Sequence, residues 1–189
     1  MVRHWTRLGL VLALAVCVVP PSSALGRDTT PVGHETREQL TAAAGTLVRL
    51  RSQALVQPAR HSGETVPDEI MGVLIAPDVV RTHARTLREL ENRNRAPVQG
   101  GPAYTGARTR LDAASATRAG DHITLEAVEH TEVRYGTGKM TQSVRRRFEF
   151  VTKNERITLT GESVVDPEAH PINDLDPADL PPKSSAGGR

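Results

Sequence analysis

The feature that most constrains the fold is a pair of alternating runs joined by a short segment that is rich in glycine. From His122 onward, every second residue is mostly apolar and the residues between are polar or charged; the apolar set is Ile123, Leu125, Ala127, Thr131, Val133 and Tyr135. A period of two is typical of a β-strand. The run Met140–Val151 alternates in the same way. The sequence therefore predicts a long antiparallel hairpin over His122–Val151.

The register of this hairpin can be predicted from its turn and its apolar faces. If residues 137 and 138 form the turn, Leu125 faces Phe150 and the apolar sides of the two strands coincide. The same register places Glu129 directly opposite Arg146. These two charged residues interrupt the apolar face of their strands, so we expect a cross-strand ion pair on the inner side of the sheet.

The amino-terminal residues have the three-part pattern of a secretory signal peptide. Arg3 and Arg7 precede the apolar run Leu10–Val19, and small residues lie before the expected cleavage site after Ala24. The run is shorter than the roughly 20 apolar residues of a membrane span. We interpret Cys17 as part of the apolar core of the signal and not as a lipidation site. Residues 1–24 are thus predicted to be removed, leaving a secreted protein with no membrane span.

Cleavage changes the charge of the chain. The full sequence has 24 Lys and Arg residues against 22 Asp and Glu residues, and the excess of two lies at Arg3 and Arg7. The mature chain is therefore neutral, which removes the global electrostatic argument for binding nucleic acid. It also has no cysteine, so its fold is predicted to be free of disulfides. The excess of Arg over Lys, with abundant Ala and Gly, is typical of GC-rich bacterial genomes.

The remaining periodic segments predict an α+β fold. Apolar residues recur every three or four positions over Glu35–Val56 and again from Pro77 towards residue 95, which predicts two amphipathic helices. Weaker alternation over Tyr104–Thr117 and after residue 156 adds a strand on each side of the hairpin. The run Ile70–Ala76 is compatible with a buried strand or with the start of the second helix. We therefore expect two helices followed by a four-stranded antiparallel meander.

The predicted organisation is a single domain. Residues 25–33 are rich in Thr, Gly and charge and are predicted to be a flexible leader, and residues 34–166 carry all the periodic segments. Residues 167–189 contain several prolines and end in small polar residues, so we predict a disordered tail.

Two resemblances follow from these patterns. The order of helices and strands resembles the cone-shaped nuclear-transport-factor-2-like and cystatin-like folds. The segments Tyr104–Leu111, Ala127–Tyr135, Arg146–Phe150 and Ser163–Pro167 resemble the amino-terminal accessory module of secreted actinobacterial proteins that carry an amidase domain. This second resemblance covers about Asp78–Pro167 and implies an accessory role. The amidase domain itself is absent from the sequence, so no enzyme activity carries over.

The candidate chemistry is sparse. Glu129 and Arg146 are the candidate pocket residues, because an ion pair on a concave sheet face could bind a polar ligand; a purely structural pair is the alternative. His130 lies near Glu126 and Glu132, but the expected register places Arg145 opposite it, which favours a surface salt-bridge ladder over a metal site. His83 falls on the apolar side of the second helix and is interpreted as a core histidine. We predict no catalytic residues, no cofactor and no metal.

Three functional hypotheses remain after this reasoning. The first is a secreted, non-catalytic module that binds a protein, peptide or small ligand. The second is a small cone-fold lyase or isomerase in which Glu129 acts as the acid or base. The third is a propeptide-like or chaperone domain that has become separated from an amidase-like partner.

Overall fold

The computed structural model describes residues 29–56, 66–95, 103–136 and 138–175. The elements in chain order are β1 (Thr30–Pro31), α1 (His34–Ala54), β2 (Glu69–Ile70), β3 (Val73–Ile75), α2 (Pro77–Arg95), β4 (Tyr104–Ala119), β5 (His122–Tyr135), β6 (Gly138–Lys153) and β7 (Arg156–Val164). The predicted signal peptide with its cleavage site, and residues 176–189 of the predicted tail, lie outside these ranges. No helix in the described ranges is long and apolar enough to cross a membrane.

The strands form one mixed sheet in the order β1-β4-β5-β6-β7-β3-β2. Strand β3 runs parallel to β7, and the other neighbouring strands are antiparallel. The predicted fold class, with two helices and a four-stranded antiparallel meander, is therefore wrong: the described sheet has seven strands and dominates the molecule. The nuclear-transport-factor-2-like or cystatin-like cone is not supported either.

The three additional strands are very short. For Ile70–Ala76, which contains the end of β2 and all of β3, the strand alternative is correct and the helix alternative is wrong. Strands β1 and β2 have two residues each and β3 has three. A period of two cannot be recognised over so few residues, and β1 falls in the segment that was predicted to be a flexible leader. The carboxyl-terminal limit at residue 166 is also too early, because Asn173 is fully buried. The domain therefore extends beyond both of its predicted boundaries, residue 34 at the amino end and residue 166 at the carboxyl end.

The β5–β6 hairpin differs from the predicted register by two residues. Tyr135 pairs with Gly138, so the turn begins at Gly136, and Glu129 pairs with Val144 instead of Arg146. A shift by two keeps every side chain on its original face. The apolar pattern is consequently the same in both registers, and only the position of the turn distinguishes them.

Helix α1 packs against the inner face of the sheet and covers the core. Its buried positions recur every three or four residues, from Leu40 through Leu47. The sheet contributes large side chains from its central strands, among them Ile123, Leu125, Phe148, Phe150 and Leu159, all of which are buried. Burial of a side chain of this size contributes about 1.5–3 kcal/mol. The opposite face of the sheet is polar and carries charged side chains.

Strand β7 contains a bulge that changes which of its residues face inward. The β6–β7 pairing shifts between Phe150, which faces Leu159, and Glu149, which faces Gly161, so Thr160 is an extra residue on β7. Without the bulge, Gly161 and Ser163 would continue the inner face that Ile157 and Leu159 form. With the bulge, the inner positions are Glu162 and Val164. Glu162 thereby reaches the buried side of the sheet.

Candidate functional site

Arg146 is the centre of a buried network of charged side chains. It lies on β6 between buried Val144 and Phe148, and only 1% of it is exposed. Its Nε donates a hydrogen bond to Glu129 on β5, although the two residues lie diagonally across the ladder and are not directly opposite. The structure thus brings the two candidate pocket residues together, through a register different from the predicted one.

Two further carboxylates accept hydrogen bonds from the other end of Arg146. Its Nη1 donates to Glu162 Oε1 at 2.8 Å and to Asp174 Oδ2 at 3.0 Å. Glu162 is available because of the β7 bulge, and Asp174 because residues 167–175 fold back against the domain. Neither residue was among the predicted site residues, since the sequence does not reveal the bulge and the prolines indicated a disordered tail.

A second buried guanidinium completes the charged cluster. Arg51 on α1 is 4% exposed, donates a hydrogen bond to Glu162, and lies 3.6 Å from Asp174 between Nη1 and Oδ2. The sequence did contain a signal for this residue. Arg51 lies four residues after Leu47 and three before Ala54, both of which are buried on the apolar side of α1. A charged residue at such a position is expected to meet a buried partner.

Neutral polar groups complete the environment of Glu129. Thr131 donates to Glu129 Oε1 at 3.1 Å, and the Asn173 amide donates to the same oxygen at 2.5 Å. Asn173 also donates to Ser52 Oγ at 2.9 Å, which links residues 167–175 to α1. A buried carboxylate needs such donors, because burial without hydrogen bonds strongly disfavours its charge. The carboxylate of Glu129 is therefore fully engaged in the structure.

The network sets the protonation states of its members. Burial by itself would raise the pKa of Glu162, but the positive charges of Arg51 and Arg146 outweigh it and lower the pKa to about 2. Burial would lower the pKa of Arg146, whereas Glu162, Glu129 and Asp174 raise it above its ordinary value. Glu162 and Arg146 are therefore both charged at neutral pH.

His83 on α2 lies beside the charged cluster and is neutral. It is 3% exposed. Burial is the main cause that lowers its pKa to about 4, and the charge of Arg51 adds to the effect, while a hydrogen bond to the backbone of Leu47 acts in the opposite direction. Its Nε2 has no hydrogen-bond partner among the described residues. One buried ring nitrogen of His83 is thus left without a hydrogen bond in the described ranges. The core histidine predicted from sequence is buried but only half satisfied.

A cavity of about 460 Å³ lies between α2, β7 and residues 167–175. Its wall includes Arg51, Arg146, His83, Glu162 and Asp174, together with Val79 and Thr82 of α2, Thr160–Val164 of β7, and Pro171 and Leu175. Ligand pockets commonly have volumes of about 300–1,000 Å³. Besides His83 Nε2, two buried donors of the wall residues, Arg51 Nε and Arg146 Nη2, lack partners in the described ranges.

Glu129 does not line this cavity, although Arg146 does. The carboxylate of Glu129 lies behind Arg146 and is held by the donors described above. A general acid or base must come within hydrogen-bond distance of its substrate. The geometry consequently gives no support to Glu129 as an acid or base. The charged and titratable residues of the network that do line the cavity are Arg51, Arg146, Glu162, His83 and Asp174.

The predicted cluster around His130 lies on the outer face of the sheet. His130 pairs with Ser143 instead of Arg145; its Nδ1 lies 2.8 Å from Ser143 Oγ, and its Nε2 lies 3.5 Å from Asp112 Oδ2. Glu126 and Glu132 instead contact basic side chains of the neighbouring strands. None of these residues lines the cavity. No group of three metal-ligating side chains occurs in the part of the chain that the structure describes.

No protein-family model and no curated protein matches the chain. Among solved structures, the chain is similar to the intermembrane space region of the chloroplast protein ARC6, with a TM-score of 0.46 and 16% sequence identity. The match covers 71% of this chain and 98% of that one. A likeness at this level assigns neither a family nor a function.

Proposed function

We propose that the chain is a secreted, non-catalytic binding module whose ligand site is the cavity between α2 and β7. One observation carries the proposal: three residues of the wall are at least nine-tenths buried, and each has a polar atom without a partner in the described ranges. A buried donor or acceptor that is left unsatisfied costs about 1–3 kcal/mol. A ligand that bonds to these atoms would recover part of that free energy.

The protonation states of the wall favour binding over catalysis. An efficient general acid or base has a pKa near the working pH. The pKa values of Glu162, about 2, and His83, about 4, leave both groups deprotonated at neutral pH and weakly basic. The charged side chains are also held in ion pairs with one another. Such a wall is suited to fixed hydrogen bonding with a polar ligand.

The experiment uses propionamide as a small uncharged probe, because its amide group both donates and accepts hydrogen bonds. We expect millimolar propionamide to shift the backbone resonances of Gly161, Ser163 and Leu175 in a nuclear magnetic resonance titration. Thr82→Trp places a large side chain in the cavity and should abolish these shifts. Arg88→Trp is the matched control, since Arg88 is exposed on the same helix and does not line the cavity.

Two results would contradict the proposal. One is the absence of any shift at the cavity residues of the folded wild-type protein at the highest soluble probe concentration. The other is turnover of a peptide or cell-wall amide by the purified chain that Thr82→Trp eliminates and Arg88→Trp preserves, because that result would make the cavity an active site.

A further inference from the structure

The cavity borders the edge of strand β7. Five consecutive residues, Thr160–Val164, line it. Because side chains alternate along a strand, one face of β7 would present only every second residue to a cavity. A run of consecutive residues indicates that the cavity meets the backbone edge of the strand.

This edge is open because β3 ends early. Strand β3 pairs only with Ile157–Leu159 of β7. The last contact is a hydrogen bond of 2.9 Å from the amide of Ala76 to the carbonyl of Leu159, and at Pro77 the chain begins α2. Beyond Leu159, no strand within the described residues covers this side of β7.

The backbone groups that face the open side can be identified from the ladder with β6. The amide of Val165 donates to the carbonyl of Arg145 at 2.9 Å, so these two residues form a hydrogen-bonded pair. Hydrogen-bonded and non-hydrogen-bonded pairs alternate along an antiparallel ladder. Glu162 and Val164 therefore belong to non-hydrogen-bonded pairs, and their N–H and C=O groups point away from β6, towards the cavity. No backbone hydrogen bond outside the ladders uses these groups in the described ranges.

We propose that the ligand of the cavity is an extended peptide that adds to the open edge of β7 as an extra strand. This inference rests on the proposed function and names the class of ligand. Exposed sheet edges bind extended peptides through main-chain hydrogen bonds, while pockets for alternate side chains provide specificity. Here the edge supplies the backbone groups of Glu162 and Val164, and the cavity lies where an inward side chain of the added strand would point.

The wall selects an uncharged side chain with both a donor and an acceptor. An anionic side chain would approach Glu162 and Asp174, and a cationic one would approach Arg51 and Arg146, which share the same wall. A carboxamide avoids both repulsions. It can hydrogen-bond to His83 Nε2 in either tautomer, through its NH₂ group or its oxygen, and its oxygen can also accept from a guanidinium. The geometry thus points to a peptide with glutamine or asparagine at the inward position.

The test uses a seven-residue peptide of alternating valine and threonine with glutamine at its centre, acetylated and amidated at its ends. We expect isothermal titration calorimetry to detect binding to the wild-type protein and to Arg88→Trp but not to Thr82→Trp. Replacement of the central glutamine by glutamate or lysine should weaken binding at least fivefold. These replacements alter only the peptide, so the fold of the protein is unaffected.

Backbone N-methylation separates strand addition from other modes of binding. In an added strand, the amides of alternate residues face β7 and the others face away. Methylation of the set that faces β7 should weaken binding at least tenfold, and methylation of the other set should have little effect. Equal tolerance of both sets would overturn strand addition. Binding that survives in Thr82→Trp would overturn the location.

Failure of this inference is distinct from failure of the proposed function. If propionamide shifts the cavity resonances and none of the peptides binds, the cavity is a ligand site but the peptide assignment is wrong. If neither propionamide nor any peptide binds, both the proposed function and the inference are wrong.

Discussion

Substitution of Glu129 by alanine should destabilise the fold, because it removes one of three carboxylates that surround a buried guanidinium. Breaking a buried ion pair by removing one partner typically costs about 3–5 kcal/mol. Arg146 would still contact Glu162 and Asp174. We therefore expect a loss near the lower end, about 3 kcal/mol of the free energy of unfolding. Arg146→Ala should cost more, about 5 kcal/mol, because it leaves three carboxylates with Arg51 as the remaining guanidinium of the network.

The assay is a double-mutant cycle in urea at pH 7. Glu129→Ala, Arg146→Ala and the double variant should give a coupling energy of about 2–3 kcal/mol, the upper part of the range for residues in contact. The chain contains a matched control on the same two strands. Glu126 and Arg147 pair directly across β5 and β6 at 2.8 Å, but both are partly exposed on the outer face. Their coupling should be below about 1 kcal/mol.

The comparison of the two coupling energies shows whether burial strengthens the ion pair. If the inner pair couples no more strongly than the outer pair, burial does not strengthen the interaction and the reasoning is refuted. If the effects of the inner variants are additive, Glu129 and Arg146 do not interact at all, and the diagonal contact across the ladder would be wrong as well.

Three further predictions follow from the same structure and sequence. Asn154 and Glu155 form the β6–β7 turn with positive φ values of 50° and 62°, so Glu155→Gly should raise the free energy of unfolding by about 1 kcal/mol, measured by urea melts; an unchanged midpoint would contradict the strain. The pKa of His83 is lowered in the folded state, so the unfolded chain binds the proton first, and stability should fall by about 2 kcal/mol from pH 7 to pH 5. His83→Asn should lose far less over this interval, and an equal loss in both proteins would assign the titration to other groups. Finally, intact-mass analysis of the culture medium should show a chain that begins at or near Leu25; a lipidated form that begins at Cys17, or an uncleaved cytoplasmic chain, would contradict the signal-peptide prediction.

The sequence could predict which residues share the inner face but not how the strands align. The apolar alternation of β5 and β6 places Glu129 and Arg146 on one face in any register that differs by an even number of residues. The choice between such registers depends on the turn, where the two glycines Gly136 and Gly138 allow two positions. The local apolar pattern therefore determines which face of the sheet a side chain lies on, whereas the loop between β5 and β6 determines the register of the two strands.

The other members of the site depend on contacts between segments that are distant in the sequence. Glu162 faces inward only because of the bulge at Thr160, and alternation read without the bulge places Gly161 there instead. Asp174 lies in a segment rich in proline, whose order depends on its contacts with the domain and not on its composition. Arg51 was recognisable from its position on the apolar side of α1, but its partners were not.

The position of Arg146 connects the stability of the domain to the formation of its cavity. Its three carboxylate partners come from β5, β7 and residues 167–175, and Arg51 joins the same network from α1. The segment that buries Asn173 against Glu129 also places Asp174 and Leu175 on the cavity wall. Because buried charges are stable only when they are paired, a domain without this segment would lose the contacts of Asn173 with Glu129 and of Asp174 with Arg146 and Arg51. The same contacts that stabilise the carboxyl-terminal segment therefore hold the cavity wall in place, and a ligand that binds there should also stabilise the fold by mass action.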